Sequence, residues 1–343
     1  MIPLTANPRT VSEADFPMRG TPAEQLCFLL NYAVLAPSEY NAQPWLFRVL
    51  DKKVELYIDR SRRLPTVDPD DRETMISCSA ACLNLRLALR HFGFEEEVEV
   101  VLDENILNLI TCIWVTGNRE ATQEEHQLFY AIPHRRTNRQ EFEDRMLPAS
   151  FLATCKSLAR EEGVWLHVVQ EEDERRRAAE LIIQGDRQQW ADRGFRQELS
   201  TWLRPQADGS QDGLPGYAGA KGNVAGPAGP WIVRTFDRGP QEVAKTQHLV
   251  AGAPVLAVLG TRGDTLVDWF AAGQALEKIL LYATSQGIQS SFVNQPIEVT
   301  SLRSELCRLI GRKDFPQLVV RMGYAPAVLP TPRRSVGEVL LTY

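Results

Sequence analysis

Four short stretches of this chain carry side chains able to bind and orient a polar ligand. The first is Ala33–Phe47, AVLAPSEYNAQPWLF, which sets Ser38, Asn41 and Gln43 around Pro37 and Pro44 and runs straight into the apolar WLFRVL. Short polar side chains on a proline-stiffened turn between a helix and a strand hold hydrogen-bonding groups in fixed positions. A turn that only caps itself has the same composition. The second stretch is HRRTNR, His134 to Arg139, directly after Pro133. The third is SSFVNQP, with Asn294 and Gln295 ahead of Pro296, and the fourth is Thr331-Pro332-Arg333-Arg334 near the end. Taken alone, HRRTNR reads as a solvated basic loop and TPRR as an ordinary tail. The net charge of −6 excludes a generally basic, nucleic-acid-binding surface, so each arginine cluster is a local feature.

The elements that must position these stretches follow from periodicity and caps. Thr21-Pro22-Ala23-Glu24 predicts a helix start, and the helix stops before Pro37. Phe47–Leu50 and Val54–Ile58 read as two strands around the charged tip Asp51-Lys52-Lys53. The Cys/Leu/Ala spacing over 71–92 predicts a helix with a buried face, ended by Gly93. Strands follow at Val98–Leu102 and Ile110–Val115, then a helical stretch at 119–130. Further helices are expected at 148–162, 171–203, 268–286 and 300–310, and strands at Val164–Val169, Val255–Leu259 and Gln317–Met322. Trp190, Phe195, Leu199, Trp202 and Leu203 give the charged 171–203 stretch one apolar face. Residues 1–21 are expected over the surface, and RSRRLPTVDPD at 60–70 as a charged loop.

From 205 to 230 the chain becomes rich in Gly and Pro, which suits a lid or binding loop as well as plain disorder. Trp231, Ile232 and Phe236 would anchor such a flap. The six cysteines, at 27, 78, 82, 112, 155 and 307, sit among apolar neighbours and read as buried free thiols in a reducing compartment. Cys78 and Cys82 share a helical face without the further ligands of a zinc site. No apolar run approaches a bilayer span and the N-terminus has no signal pattern, so a cytoplasmic protein without membrane attachment is expected.

Two segments repeat one pattern: a long helix, a glycine, then an extended stretch. Matching Gly93 to Gly287 places Ala81 on Ala275, Leu85 on Ile279 and Phe94 on Ile288. The helix and strand at 24–50 have a counterpart at 148–169. This predicts a duplicated α+β unit with a boundary near 115–130.

The ordered set PSEYNAQPW, HRRTNR, GQALEKILL-GI, FVNQP and GY-TPRR resembles the FMN-dependent nitroreductase family, and within it the tandem-duplicated, Acg-like branch. The resemblance covers roughly residues 22–343. It implies a nitroreductase-like α+β fold duplicated in one chain, a pseudo-dimer with mostly antiparallel sheets. The halves would be 1–125 and 126–343, the second carrying the 205–230 lid. It also implies FMN, bound between the halves. Ser38, Asn41 and Gln43 would come from the first half, and Arg135, Arg136, Thr137, Arg139, Arg333 and Arg334 from the second. Arginines would grip the phosphate through forked, charge-assisted hydrogen bonds, Thr137 would add a hydroxyl, and the amides would meet the ring edge or ribityl chain. Backbone near Asn294 and Gln295 would face flavin N5, where the family often has Glu-Gly. The motif set assembles only once, which predicts one FMN per chain.

The implied activity is hydride transfer from NAD(P)H through FMN to a small oxidised acceptor such as a nitroaromatic or a quinone, with no catalytic protein side chain and no metal. Two alternatives carry the same flavin: a protein that sequesters or stores FMN with little reductase activity, and a biosynthetic oxidase. Fusion of the halves predicts a monomer.

Overall fold

The computed structural model describes residues 7–101, 108–205, 209–217, 229–235 and 239–341. Helix α1 (Pro22–Ala33) begins in a reciprocal cap, with Thr21 Oγ accepting from the Glu24 amide and the Glu24 carboxylate accepting from the Thr21 amide at 2.7 Å. Strands β1 (Trp45–Leu50) and β2 (Lys53–Ile58) form a hairpin, followed by the long helix α2 (Arg72–His91) and strands β3 (Phe94–Val100) and β4 (Leu109–Asn118). Their antiparallel sheet has the order β1-β2-β4-β3.

Helix α3 (Gln123–Ala131) leads out of this sheet, and α4 (Ala149–Glu161) and β5 (Trp165–Val169) open the second. An insertion follows: α5 (Glu172–Ala191), α6 (Arg193–Trp202), the two-residue strands β6 (Leu203–Arg204) and β7 (Leu214–Pro215), α7 (Gly229–Thr235) and α8 (Gly239–Ala251). Then come β8 (Val255–Thr261), the long helix α9 (Leu266–Ser285), β9 (Gln289–Phe292), α10 (Gln295–Glu298), α11 (Thr300–Leu309), β10 (Phe315–Gly323) and α12 (Val336–Val339). The second antiparallel sheet has the order β5-β8-β10-β9. Counting each sheet's own strands, both read first-second-fourth-third, with a 20-residue helix between the second and third. Gly93 and Gly287 close those helices in the left-handed region, at φ +86° and +71°. The boundary placed at 125/126 falls inside α3.

The two long helices join the halves. Ser79 Oγ donates to the Phe270 carbonyl and Gln274 Nε2 to the Ser79 carbonyl, both at 2.5 Å. Gly273 makes this approach possible: a Cβ there would overlap the Ile76 carbonyl and lie 2.6 Å from Ser79 Cβ. The chain also laces the sheets together. Thr137 bridges to Ser290 at the β9 edge, and Leu340 to Phe47 on β1.

Several expectations are revised. The 171–203 stretch is two helices, broken at Asp192, whose extended backbone (ψ 123°) lets its carboxylate cap α6. Residues 7–21 do more than cover a surface: Phe16 is buried and stacks on Phe92. The 60–70 loop is ion-paired, with Arg63 to Asp71 at 2.6 Å and Arg62 to Asp212 at 2.8 Å. Of the 205–230 segment, residues 206–208 and 218–228 lie outside the described residues, as does Phe236. Trp231 is 55 % exposed, and Val233 is the buried apolar side chain of α7. Cys78, Cys82, Cys112 and Cys155 are buried, with burial pushing the Cys82 thiol up to about 12. Among the described residues no helix is long and apolar enough to cross a membrane.

Candidate functional site

The turn after α1 is held in costly backbone. Tyr40, Asn41 and Gln43 have φ of 49°, 56° and 53°, which costs a non-glycine residue about 1 kcal/mol or more each. Side chains compensate. Ser38 Oγ accepts from the Gln43 amide at 2.9 Å. Tyr40 packs into a small core with Leu64, Val67, Trp190, Phe195, Leu199 and Val233, so the apolar face of α5 and α6 clamps the turn from outside. Gln43 is fully enclosed, donating to the Gln211 carbonyl and accepting from the Arg334 amide, both at 2.8 Å. Asn41 donates to the carbonyls of Gly213 and Pro332 at 3.1 Å and accepts from Arg333 at 2.7 Å. The two amides therefore tie the 209–217 strap and the C-terminal segment onto the turn.

A cavity of about 140 Å³ opens beside this knot, lined by Ser38, Asn41, Arg135, Arg136, Thr137, Arg139 and Arg333, with Leu214 and Tyr217 of the strap on its wall. A second cavity of about 40 Å³ shares Pro37, Ser38, Thr137 and Arg139 with it and adds Glu39, Glu73 and Asn294. Eight of the expected residues thus line one continuous site. Gln43, Gln295 and Arg334 line neither cavity. Arg334 is stapled to Asp59 and to the Gln43 and Glu338 carbonyls, and Gln295 turns towards Asp186 of α5.

One end of the site is crowded with positive charge. Burial depresses Arg333 strongly, and Arg9, Arg135 and Arg136 add to it. Burial first, then Arg135, lowers Arg136 to about 10. Arg9 comes from the N-terminal segment, donating to the carbonyls of Thr331 and Pro133 at 3.3 Å. Three buried atoms here, Arg9 Nη2, Arg135 Nε and Arg333 Nε, find no acceptor among the described residues. Glu277 of α9 stands behind Arg135, 3.6 Å from its Nε.

The other end is acidic. Carboxylate oxygens of Glu39, Glu73 and Glu298 lie within 4.8 Å of one another. Burial lifts all three, Glu73 to about 8. Arg72 Nη2 pairs with Glu73 at 2.7 Å, Asn294 Nδ2 lies 3.4 Å from the same carboxylate, and Gln189 donates to Glu298. Asn294 is itself fixed, its Oδ1 accepting from the Val319 amide at 2.9 Å. The site thus runs from a cluster of crowded arginines to a cluster of buried carboxyl groups.

The nitroreductase family model matches residues 132–324, more than half of the chain. Across almost the full length, the chain is 30 % identical to "Putative NAD(P)H nitroreductase Rv3131" of Mycobacterium tuberculosis, covering 93 % of this chain and 91 % of that one. The chain belongs to the nitroreductase family. As a member it is an oxidoreductase. It is also 26 % identical to "Putative NAD(P)H nitroreductase acg" of the same organism, over 90 % of this chain and 93 % of that one. Among solved structures, the FMN-dependent nitroreductase NfnB from Mycobacterium smegmatis, in complex with NADPH, overlaps 64 % of this chain and 98 % of its own, at 17 % identity and a TM-score of 0.40. The assignment does not rest on that loose overlap.

Sequence reasoning missed Arg9, Glu277 and the Glu39–Glu73–Glu298 cluster. Glu277 did leave a signal: it is a lone acid inside the apolar run GQALEKILL, on a helix face that has to be buried. Arg9 left none, because its role depends on where the N-terminal segment crosses the second half.

Proposed function

We propose that this nitroreductase-family chain binds one FMN at the seam between its halves and carries hydride from NAD(P)H to a small oxidised acceptor. The observation that carries the reading is the convergence of the guanidinium groups of Arg135, Arg136, Arg139 and Arg333 on a cavity that also holds Ser38 and Thr137. A phosphate dianion would accept hydrogen bonds from these guanidinium groups and offset the burial and mutual crowding that depress Arg333, Arg136 and Arg9. The residues fit such a group. Arg135, Arg136, Arg139 and Arg333 would hold the phosphate end, with the Thr137 hydroxyl beside them. Ser38, Asn41 and Asn294 would border the rest. When bound, FMN supplies reversible hydride acceptance at its ring.

The chain's own part is binding, orientation and exclusion of water. The strap at 209–217 is fastened to the turn by Asn41 and Gln43 and puts Leu214 and Tyr217 against the cavity. Burial raises the carboxyl cluster at the far end, Glu73 to about 8, and so favours its protonated forms. The recurring sheet order supports reading the chain as a tandem duplication that provides both sides of the site and acts as a monomer. The test is anaerobic stopped-flow of FMN-loaded protein against NADPH and, separately, NADH. Rapid loss of the oxidised flavin absorbance supports reductase turnover. The fastened strap favours the second reading, an FMN-sequestering protein, and retained FMN without bleaching by either nucleotide would select it.

A further inference from the structure

The pairing of Glu277 with Arg135 is unusual because no hydrogen bond closes it. Glu277 is completely buried in the middle of α9, and neither of its oxygens has a hydrogen-bond partner among the described residues. The nearest cation is Arg135 Nε, 3.6 Å away and also without an acceptor. Asn84 of α2, equally enclosed, lies beside the carboxyl group, where its amide favours the ionised acid without closing a short hydrogen bond. A buried ion pair with no short hydrogen bond between its members, and with only the Leu35 carbonyl on Arg135 and Asn84 beside the acid among the described residues, is poorly solvated in either charge state. Its balance is therefore set by the charge that arrives on the other side of Arg135.

We propose that Glu277 is the positioning residue of the anion end: it holds the Arg135 guanidinium by charge across the helix interface and takes up a proton when a phosphate arrives. The inference rests on the reading that this cradle binds the phosphate of FMN. The groups facing Glu277 are Arg135 from the 132–139 segment, Arg333 from the C-terminal segment and the neutral Asn84 from α2. Neighbouring charges on α9 and α4 point away, with Lys278 paired to Glu161 and Glu162 at the surface. Burial raises the Glu277 carboxyl to about 7 against the pull of Arg135, the Asn84 amide and, more weakly, Arg333. A dianion on Arg135 and Arg333 cancels that pull and brings negative charge closer, so the proton is held harder in the complex. By linkage, affinity for the phosphate rises as pH falls, by up to about tenfold per pH unit just above the unliganded titration.

The test is titration calorimetry of the apo-protein with FMN at pH 7.5, in buffers of different ionisation enthalpy, with riboflavin as the phosphate-free control. At that pH an FMN phosphate is almost wholly dianionic, its second ionisation lying near about 6. The expected result is proton uptake on FMN binding that riboflavin does not cause, and that Glu277→Gln abolishes. FMN affinity of the wild type should fall about tenfold between pH 7 and pH 8.5, while that of Glu277→Gln changes less than about twofold. FMN binding with no proton uptake, or with uptake equal for riboflavin, overturns the role of Glu277 and leaves the cofactor reading standing. Absence of FMN binding at any pH overturns both. Because the wild-type comparison of FMN with riboflavin decides the matter alone, a variant that fails to fold does not block the test.

Discussion

The two ends of the site solve the problem of buried charge in opposite ways. At the carboxyl end, Glu39, Glu73 and Glu298 crowd together, but their neighbours are supplied from within: Arg72 and Asn294 reach Glu73, Gln189 donates to Glu298, and the Tyr40 backbone and Arg139 face Glu39. Burial raises all three acids, Glu73 to about 8, which favours their neutral forms. At the arginine end no such escape exists, because a guanidinium does not give up its proton under ordinary conditions. Arg9, Arg135, Arg136 and Arg333 are balanced by Glu277 at a distance, and three of their buried atoms are left without acceptors. A region that completes its own hydrogen bonds is built to stay as it is. One that leaves them open has room for an outside acceptor, and the open end is the one proposed to take a phosphate.

Removing a member of the open end should have the largest effect. Arg333→Ala deletes a buried donor that also fixes Asn41, so FMN affinity should fall about a hundredfold or more. Riboflavin affinity should change much less, which fluorescence titration with both flavins measures. Equal losses for the two would mean that Arg333 supports the turn and not the anion. Gly273→Ala strikes both ends together, since Glu73 sits on α2 and Glu277 on α9. The added methyl meets backbone at the helix crossing, and a destabilisation of about 1–3 kcal/mol is expected by chemical denaturation. Asp68→Ala acts on the carboxyl end alone. Its two oxygens accept the Glu73 and Thr74 amides at 2.9 and 2.8 Å, and loss of this cap should cost about 1 kcal/mol.

Much of this architecture is legible in the sequence, and the limits have physical causes. Both long helices, both glycine stops and most strands follow from period and caps, because those signals are local. The convergence of the 33–47 turn, HRRTNR and TPRR came from the family pattern, and the cavity brings all three together. Gln43 and Arg334 illustrate what spacing alone cannot tell: a polar side chain next to a site can be spent on holding backbone. Gln43 is enclosed between Gln211 and Arg334, and only the fold reveals that its donors and acceptors are already used. The acidic cluster was out of reach for a related reason. Glu39, Glu73 and Glu298 are far apart in sequence and meet only because α2 and α10 converge beside the turn.

A pH effect bears on the closed end, and its sign follows from Glu73. Burial is the main cause that lifts this acid from 4.5 to about 8, with Glu39 and Asp68 adding to it and Arg72 opposing. The folded state therefore binds the proton more tightly than the unfolded chain does. Its contribution to stability is complete below about pH 4.5, declines as pH rises through neutrality and is gone above about pH 8. The apo-protein should accordingly lose denaturant resistance between pH 5 and 8, and Glu73→Gln, which keeps the neutral shape, should flatten that slope. FMN affinity of Glu73→Gln should retain the wild-type pH dependence, because the phosphate end answers to Glu277. If one substitution flattened both the stability and the affinity profiles, the two ends would share a single titration, and their division into a closed and an open region would fail.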